Sequence, residues 1–574
     1  MLPGLDTLHT DGENSEPLVA AGTTTPGNSS LPDPLTLEDA LSRHDAAHWQ
    51  RAIDAEITTL TGMGTFEVLP APSGVRLVGL KWVFKTKYDA YGNLEKYKAR
   101  LVAKGFMQAP CTYTELYAPV SKYATVRMFI AYAAANQLEM RQLDVTSAFL
   151  NGVLTEPIWT ALPPGMDKVY PGKALYCRKA LYGFKNSPKV WFDTISDVFK
   201  ANGYEACMGD SCLFISKGKC LILLYVDDAL CVGSTSDLDD VVAFMKVAFD
   251  TKDLGSGSSF LNIAITRNHT EDTITMSQAE YIKNVGADFF PVDHHIKIRS
   301  CPMDKGIVLN TQSKALPADN QYAKLIGSLN YLAICTRPDI SFAVSALSRF
   351  SSCPTVYLWE AALGVLRYLL GTPNFGLTYG PSPKGQFYPG NMSLTAFSDA
   401  DFAGSDKISF RSTTGFVLLV NGTAVAWQSR LQQTVARSTT EAEYQALSAT
   451  IAITLWLRKV FSEILSYDRL LNSTPTAEFR LMATPISVDN QSTITLAEKP
   501  NSVKRCKHID VMHGFIIDRA TRGSPPAVSI QYVQSEKNVA DIFTKPLPLE
   551  TFAAHRSGMG MTVLQPAVQP SSSI

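Results

Sequence analysis

Residues 221–233, LILLYVDDALCVG, decide the fold. An apolar run leads into Asp227 and Asp228 and a second apolar run leads out, which predicts a buried β-hairpin with two adjacent carboxylates at its turn. Two neighbouring acids beside buried strands are costly unless a metal ion neutralises them. The alternative is an ordinary Asx turn, but the apolar flanks and the preceding Tyr225 and Val226 favour a metal site.

A third acid, Asp144, ends a predicted strand upstream, in MRQLDVTSAFLNG. Polymerases need such a trio, because two divalent ions about 3.5–4 Å apart activate the primer hydroxyl and stabilise the leaving pyrophosphate oxygens. Phe149 follows this strand, where an aromatic ring can stack under a sugar and exclude a 2′-hydroxyl. The alternative for Phe149 is a place in the hydrophobic core.

Five segments carry a resemblance through their sequence, order and spacing: KWVFKTKYDAYGNLEKYKARLVAKGF, YAPVSKYATVR, QLDVTSAFLNG, KALYGFKNSPKVWF and YVDD. Together they resemble the reverse transcriptase of copia-type LTR retrotransposons, over residues 36–380. The resemblance implies a right-hand polymerase with fingers, palm and thumb, and RNA- and DNA-directed DNA polymerase activity. It also implies that Asp144, Asp227 and Asp228 are catalytic metal ligands for two Mg²⁺ ions, with Mn²⁺ as an alternative.

The resemblance also implies a nucleotide-binding set, in which Phe149 is the sugar gate. The other members are Lys85, Arg100, Gly183, Lys185, Pro188, Tyr225 and Val226. The basic residues of the fingers agree with this independently, since eight Lys and Arg residues fall within residues 76–104, interleaved with Trp82, Phe84, Tyr88 and Tyr97. Basic side chains neutralise phosphates and aromatic rings can stack on bases. The alternative is a solvated hairpin face.

A second set of acids lies in the C-terminal part, on alternating predicted elements. Asp399 and Asp489 end strands, Glu443 lies on a helix and Asp541 on a late helix. The segments SDADFAGS, RSTTGFV, STTEAEYQALS, VDNQSTITLA, KRCKHID and NVADIFTKPL resemble the ribonuclease H domain of the same elements. The resemblance implies that these four acids are catalytic metal ligands for two-metal hydrolysis of the RNA strand in RNA–DNA hybrids.

Three neighbouring residues compete for roles in this second site. Ser438 and Glu441 form a capping-box pattern, so we assign Glu441 to the helix cap and Glu443 to the metal. Asp401 is a weaker rival of Asp399, more typical of a turn. His508 fits either a mobile general acid/base or an ordinary position on a helix face.

The overall composition predicts a multidomain α+β and α/β protein. The chain has 574 residues, 45% of them hydrophobic, and its 52 Lys and Arg against 53 Asp and Glu give a net charge of −1. This balance argues against a strongly basic nucleic-acid binder, but the basic residues concentrate in the fingers and seven acids are assigned to metal sites. The predicted units are a disordered leader (1–35), fingers and palm (36–255), thumb and connection (256–390), a ribonuclease H-like domain (391–548) and a tail (549–574).

The expected partners are an RNA template, a DNA primer, RNA–DNA hybrids and dNTPs. No signal peptide or membrane span is predicted, so we expect a location in the cytoplasm, including virus-like particles, or in the nucleus, and no secretion. The capsid, protease and integrase parts of a complete polyprotein are expected to be absent. The rival hypothesis is a catalytically silent relic or a co-opted nucleic-acid-binding protein, and the seven intact acids favour the enzyme.

Overall fold

The computed structural model describes residues 32–88, 94–110, 113, 115–216, 219–291, 296–381, 392–404, 409–471, 482–498, 510–522 and 525–564. Within these residues the strands form five separate sheets, with helices packed against them. The architecture confirms the predicted multidomain class of α+β and α/β units, with a polymerase palm and a ribonuclease H-like sheet. None of the helices in the described ranges combines the length and the apolar composition that a membrane crossing requires.

Helices and strands alternate along the whole described chain. The α-helices are α1 (Leu37–Ser42), α2 (Ala46–Gly62), α3 (Tyr123–Ala135), α4 (Ser187–Ala201), α5 (Thr235–Ala248), α6 (Ala279–Phe289), α7 (Tyr322–Cys335), α8 (Ser341–Ser348), α9 (Val356–Gly371), α10 (Thr439–Leu471), α11 (Gln491–Glu498), α12 (Asp510–Thr521) and α13 (Leu549–Gly558). The strands are β1 (Phe66–Pro70), β2 (Leu80–Tyr88), β3 (Leu94–Ala103), β4 (Glu139–Val145), β5 (Val153–Thr160), β6 (Lys173–Lys179), β7 (Tyr204–Ala206), β8 (Leu213–Ser216), β9 (Leu221–Tyr225), β10 (Asp228–Gly233), β11 (Thr251–Asp253), β12 (Ser259–Phe260), β13 (Ile263–Asn268), β14 (Thr273–Ser277), β15 (Phe375–Tyr379), β16 (Leu394–Asp401), β17 (Thr413–Val420), β18 (Thr423–Leu431), β19 (Thr484–Val488), β20 (Val528–Tyr532) and β21 (Met561–Val563).

The palm is a six-stranded sheet in the order β11-β4-β10-β9-β8-β7. Strands β9 and β10 form the predicted hairpin, and both are almost entirely buried. Strand β10 also pairs antiparallel with β4, in a register that sets Asp228 directly opposite Asp144. The sheet therefore joins two acids that are far apart in sequence, because residues directly opposite in a ladder project from the same face.

The fingers hairpin β2–β3 separates its apolar and basic residues onto opposite faces. Trp82 and Phe84 are buried in a core that includes Trp49 of α2. These two rings are therefore unavailable to nucleic-acid bases, and the prediction that they stack on bases was wrong for them. On the opposite face Lys85 pairs with Lys98, and Arg100 lies two residue pairs further along the ladder, on the same face. The turn at 89–93 lies outside the described residues.

The ribonuclease H-like unit is a five-stranded sheet in the order β18-β17-β16-β19-β20. Strands β16 to β18 form an antiparallel meander, whereas β19 runs parallel to β16 and β20 parallel to β19. Asn421-Gly422 between two apolar runs of the sequence predicts a type I′ turn, and positive φ at Asn421 (49°) and Gly422 (85°) confirms that turn between β17 and β18. Helix α10 packs across β16 and β17, so that it brings its first turns close to the end of β16.

The two ends of the chain differ from the predicted leader and tail. Of the leader, residues 32–35 are described, and Asp33 accepts hydrogen bonds from the backbone N–H and hydroxyl of Thr86 on β2. Of the tail, residues 549–564 form α13 and β21, and β21 pairs with β15 to complete the sheet β12-β13-β14-β15-β21. The last stretch of the chain therefore returns to the thumb and connection segment. The predicted boundary between residues 390 and 391 lies outside the described residues.

Arg127 of α3 joins three parts of the chain in one hydrophobic core. Its guanidinium donates to the carbonyl oxygens of Ile334, Cys335 and Val425 at 2.7, 3.0 and 2.7 Å, and it lies 3.9 Å from the ring centre of Trp427. The side chain is 4% exposed, and burial lowers the pKa of Arg127 to about 10. The palm, the connection and the ribonuclease H-like sheet therefore meet at one buried cation.

Replacing Arg127 with alanine should strongly destabilise the whole protein. The change removes the donor to the buried carbonyl groups of Cys335 and Val425 and to the partly buried one of Ile334, and it opens a cavity. We therefore expect a loss of about 3 kcal/mol or more in the free energy of unfolding. Urea denaturation followed by circular dichroism measures this. Arg178→Ala, which removes an exposed ion pair with Glu67, is the control and should cost at most about 0.5 kcal/mol. Equal effects of the two changes would refute the role of Arg127.

Candidate active sites

The palm acid Asp227 lies in a two-residue turn with a strained backbone. Tyr225 pairs with Asp228, which leaves Val226 and Asp227 as the turn residues, and Val226 has φ of 59°. A β-branched residue rarely adopts positive φ, and such strain persists where the surroundings hold it. Here the indole N–H of Trp191 donates to the Val226 carbonyl at 2.6 Å, and the Val145 N–H donates to the Asp227 carbonyl at 3.0 Å.

The palm carboxylates repel one another in a partly buried setting. Burial raises the pKa of Asp227, and it raises the pKa of Asp228 to about 6, with further contributions from the neighbouring acids, Asp144 among them. Arg100 and Lys98 of the fingers oppose the shift at Asp227, so they lie within electrostatic reach of the turn. This donor set fits a hard divalent cation, which prefers carboxylate oxygens and would remove the repulsion.

An aromatic stack links the palm acids to the fingers. Phe149 is half-buried, in a 3₁₀ helix after β4, and its ring packs edge-on against Tyr182 with 5.3 Å between centroids. The guanidinium of Arg100 lies 5.0 Å from the Tyr182 ring centre. Phe149, the expected sugar gate, and Arg100, the expected triphosphate contact, therefore both lie against Tyr182. The sequence reasoning missed Tyr182, although it stands within the quoted KALYGFKNSPKVWF.

The remaining predicted nucleotide contacts have other partners in this structure. Lys85 forms an ion pair with Asp33 at 3.1 Å. Gly183 has φ of 90°, and a side chain there would overlap the Ala103 carbonyl, so glycine is needed for the loop to lie against β3. Lys185 contacts Tyr113, and Pro188 occupies the first turn of α4, where its missing N–H costs nothing.

Burial also lowers the pKa of Lys98 to about 8; the sequence reasoning had not singled this lysine out.

The second acid cluster is tighter than the palm trio. Among the described residues, Asp399, Asp489 and Asp541 bring one carboxylate oxygen each to within 4.8 Å of one another. Asp399 lies on β16, Asp489 directly follows the parallel strand β19, and Asp541 belongs to the 3₁₀ helix Val539–Phe543. Gly415 pairs with Asp399, and a side chain there would overlap Phe543 and Thr544. Glycine therefore allows this short helix to approach the sheet.

Glu443 projects from α10 toward the same acids. It is 6% exposed, its Oε1 accepts the Ala400 N–H at 3.2 Å, and its Oε2 has no hydrogen-bond partner. Burial and the negative charges of Asp399 and Asp489 hold the pKa of Glu443 well above its usual range. Glu441 instead caps the helix, as predicted: its N–H donates to Ser438 Oγ at 3.1 Å and its carboxylate accepts the Arg437 N–H at 2.8 Å.

Two residues that the sequence reasoning missed complete the cluster. The Thr544 hydroxyl donates to Asp399, and the Lys545 ammonium lies 3.1 Å from Asp541 Oδ2 and 3.8 Å from Asp399 Oδ2. Asp541 Oδ1 is buried without a partner, and burial together with Asp399 raises the pKa of Asp541. The sequence could have indicated Thr544 and Lys545 by their positions in NVADIFTKPL, three and four residues after Asp541. The clustered and unsatisfied carboxylate oxygens fit a divalent cation.

Two weaker candidates near this site have different outcomes. Asp401 ends β16 and adds to the negative charge around Lys545, but it does not belong to the group of three acids within 4.8 Å. His508 lies outside the described residues, so its two interpretations stay open.

Part of the chain matches a known protein family. Residues 63–298 match the family model described as reverse transcriptase (RNA-dependent DNA polymerase). The chain is 33% identical over 548 residues to the retrovirus-related Pol polyprotein from transposon TNT 1-94 of Nicotiana tabacum, covering 92% of this chain and 39% of that polyprotein. It is 35% identical over 528 residues to that from transposon RE1 of Arabidopsis thaliana, covering 90% of this chain and 34% of the relative.

A solved structure of a foamy viral protease-reverse transcriptase in complex with double-stranded DNA is also similar, with a TM-score of 0.46 and 12% identity over 85% of this chain and 70% of that one. The family match shows that residues 63–298 form a reverse transcriptase domain. Over about nine-tenths of its length, the chain is similar to retrovirus-related Pol polyproteins of plant retrotransposons. It spans between 34% and 39% of the length of the curated relatives named above.

Glu443→Gln should change how the stability of the metal-free protein depends on pH. A carboxyl whose folded pKa is raised favours folding below its unfolded pKa of about 4, and this contribution is lost as the pH rises through the folded pKa. In EDTA, the wild-type melting temperature should therefore fall from pH 5 to pH 8. In Glu443→Gln this fall in melting temperature should be smaller, by about 2–4 °C for each kcal/mol of unfolding free energy that the charged carboxylate costs. Glu441→Gln, on the exposed cap, should retain the wild-type slope, and parallel curves for all three proteins would contradict the burial argument.

Proposed function

We propose that the chain is an RNA- and DNA-directed DNA polymerase that also hydrolyses the RNA strand of RNA–DNA hybrids. The observation that carries the polymerase proposal is the register of the palm, which sets Asp228 opposite Asp144 beside a strained turn that holds Asp227. The observation that carries the hydrolase proposal is the convergence of Asp399, Asp489 and Asp541 in a separate sheet. The membership in the reverse transcriptase family supports the first activity.

In the palm, we assign Asp144, Asp227 and Asp228 to holding Mg²⁺, with Mn²⁺ as an alternative. Bound divalent ions would lower the pKa of the primer 3′-hydroxyl and stabilise the charge that develops on the leaving pyrophosphate. Arg100 and Lys98 face these acids from the fingers, where their charges suit the triphosphate of an incoming dNTP. Lys85 can join them if it exchanges Asp33 for a phosphate.

In the second site, we assign Asp399, Glu443, Asp489 and Asp541 to holding divalent ions against the scissile phosphate. The four acids come from two strands, one helix and one 3₁₀ helix, so the whole fold is needed to place them. Ser535 donates to Asp489 Oδ2 at 2.7 Å and Thr544 donates to Asp399, which orients both carboxylates. The substrate proposed for this site is an RNA–DNA hybrid formed by synthesis in the palm.

The proposed partners follow from these two reactions. They are an RNA template, a DNA primer, dNTPs and the hybrid product. A location in the cytoplasm, including virus-like particles, or in the nucleus is part of this proposal, since both templates occur there.

Single substitutions should separate the two activities. Asp227→Asn should abolish extension of a DNA primer on an RNA template with Mg²⁺ and dNTPs, because it removes a ligand charge from the palm, and should leave cleavage of a preformed hybrid intact. Asp489→Asn should have the opposite effect, and its partly exposed position should tolerate an amide. Both activities are followed with labelled primer and labelled RNA on denaturing gels.

Wild-type protein and both variants should give the same circular dichroism spectrum, which controls for folding. A folded wild-type chain that does not extend the primer would refute the polymerase proposal. A parallel loss of both activities in either variant would contradict two separate sites.

Phe149→Ala should weaken the selection of deoxyribonucleotides over ribonucleotides. The ring packs against Tyr182 at the edge of the palm acids, and its removal leaves room for a 2′-hydroxyl, so the ratio of dNTP to rNTP incorporation should fall about 10–100-fold. Single-nucleotide incorporation kinetics measure this ratio. Phe192→Ala, which truncates a half-buried ring that packs on Phe214 instead, should leave the ratio unchanged. An unchanged ratio in Phe149→Ala would refute the gate.

A further inference from the structure

Lys545 is placed inside the second acid cluster. It follows Asp541 by one helical turn, and its ammonium reaches Asp541 Oδ2 at 3.1 Å and Asp399 Oδ2 at 3.8 Å. These two oxygens belong to residues that also form the group within 4.8 Å together with Asp489. The ammonium therefore occupies space beside the carboxylates to which a divalent ion would bind.

The surrounding carboxylates need a cation to be stable in the folded protein. Asp399 is 2% exposed and Asp541 is 7% exposed, and a buried carboxylate without a compensating charge is costly. Two further oxygens, Asp541 Oδ1 and Glu443 Oε2, are buried with no hydrogen-bond partner. Lys545 is 39% exposed along its side chain, so it can move away from the cluster without unfolding the core.

We propose that Lys545 is an internal counter-ion that stabilises the metal-free site and competes with the divalent cation for Asp399 and Asp541. The ammonium and the metal ion need the same carboxylate oxygens, and each repels the other at such short range. Metal binding therefore displaces Lys545, and the released ammonium becomes free to meet a phosphate of the hybrid. This inference rests on the metal site of the proposed function.

Metal binding to the free protein tests this competition without an activity assay. All proteins carry Asp228→Asn to weaken metal binding in the palm, and thermal unfolding is followed in EDTA and over a titration with Mn²⁺. Lys545→Met should lower the melting temperature in EDTA, because the acids lose their counter-charge. It should bind Mn²⁺ about tenfold more tightly, the change expected when about 1.4 kcal/mol of competition is removed, and a ligand that binds the folded state more tightly stabilises it more.

Two further variants serve as controls. Lys545→Arg keeps the charge and should retain the melting temperature in EDTA and the weaker metal affinity. Lys537→Met removes an exposed lysine from the preceding 3₁₀ helix Ser535–Lys537 and should behave as the parent protein. Equal Mn²⁺ affinities and equal melting temperatures in the parent and Lys545→Met would overturn the competition while leaving the metal site intact. No response to Mn²⁺ in any protein would overturn the metal site and with it the proposed hydrolysis.

A measurement on the parent protein covers the case in which Lys545→Met fails to fold. Acetylation of lysines by acetic anhydride, read by mass spectrometry, reports how available each amine is. Mn²⁺ should increase the labelling of Lys545 and leave that of Lys537 unchanged, because the metal breaks the ion pairs with Asp399 and Asp541. Labelling of Lys545 that does not respond to a metal concentration which stabilises the protein would overturn the displacement.

Discussion

The buried guanidinium of Arg127 holds the polymerase and ribonuclease H-like parts together. Among the described residues no carboxylate pairs with it; it donates to backbone carbonyls of α7 and β18 and lies over the ring of Trp427. A cation in such a site is stabilised by the dipoles around it, and those dipoles come from two elements, α7 and β18, that must both be in place against α3. The surrounding apolar residues form one continuous core through the palm, the connection and the second sheet. Helix α10 adds contacts to α3 and β8 of the palm.

The two acid clusters differ electrostatically from the Arg127 site, because each of them brings several negative charges close together. Arg127 is a buried cation that donates to three neutral carbonyl groups, whereas Asp541 and Glu443 are buried acids that each keep an oxygen without a partner. Such groups lower the stability of the metal-free fold, and selection retains them when they serve a site. The strain at Val226 adds to this in the palm, where Trp191 holds the turn. The contacts of Arg127 and Trp191 thus stabilise the regions around the acid clusters, whereas the clusters themselves lower the stability of the metal-free fold.

The sequence predicted the parts of the fold that depend on local pattern. The hairpin around Asp227, the type I′ turn at Asn421 and the cap at Ser438 each follow from a few adjacent residues, and each is present. The palm and second-site acids were selected by their places at strand ends and on a helix, and the structure brings Asp399, Asp489 and Asp541 together. Tyr182, Lys545 and Arg127 were missed because their partners are distant in sequence or lie on another element. Arg127 sits within an apolar helix, where a single charge carries no periodic signal.

The C-terminal stretch explains why the predicted domain limits describe the molecule incompletely. Strand β21 has three residues, too few for a period-two pattern, and α13 has no strong apolar face, so neither stood out from a tail. Yet β21 completes the sheet that begins with β12, and Arg556 of α13 donates to Tyr368, whose hydroxyl donates to the buried Asp339 beside Arg337. The thumb and connection segment therefore lacks an edge strand until the chain beyond the second sheet has folded back. The independence of a domain depends on contacts that only the folded chain reveals.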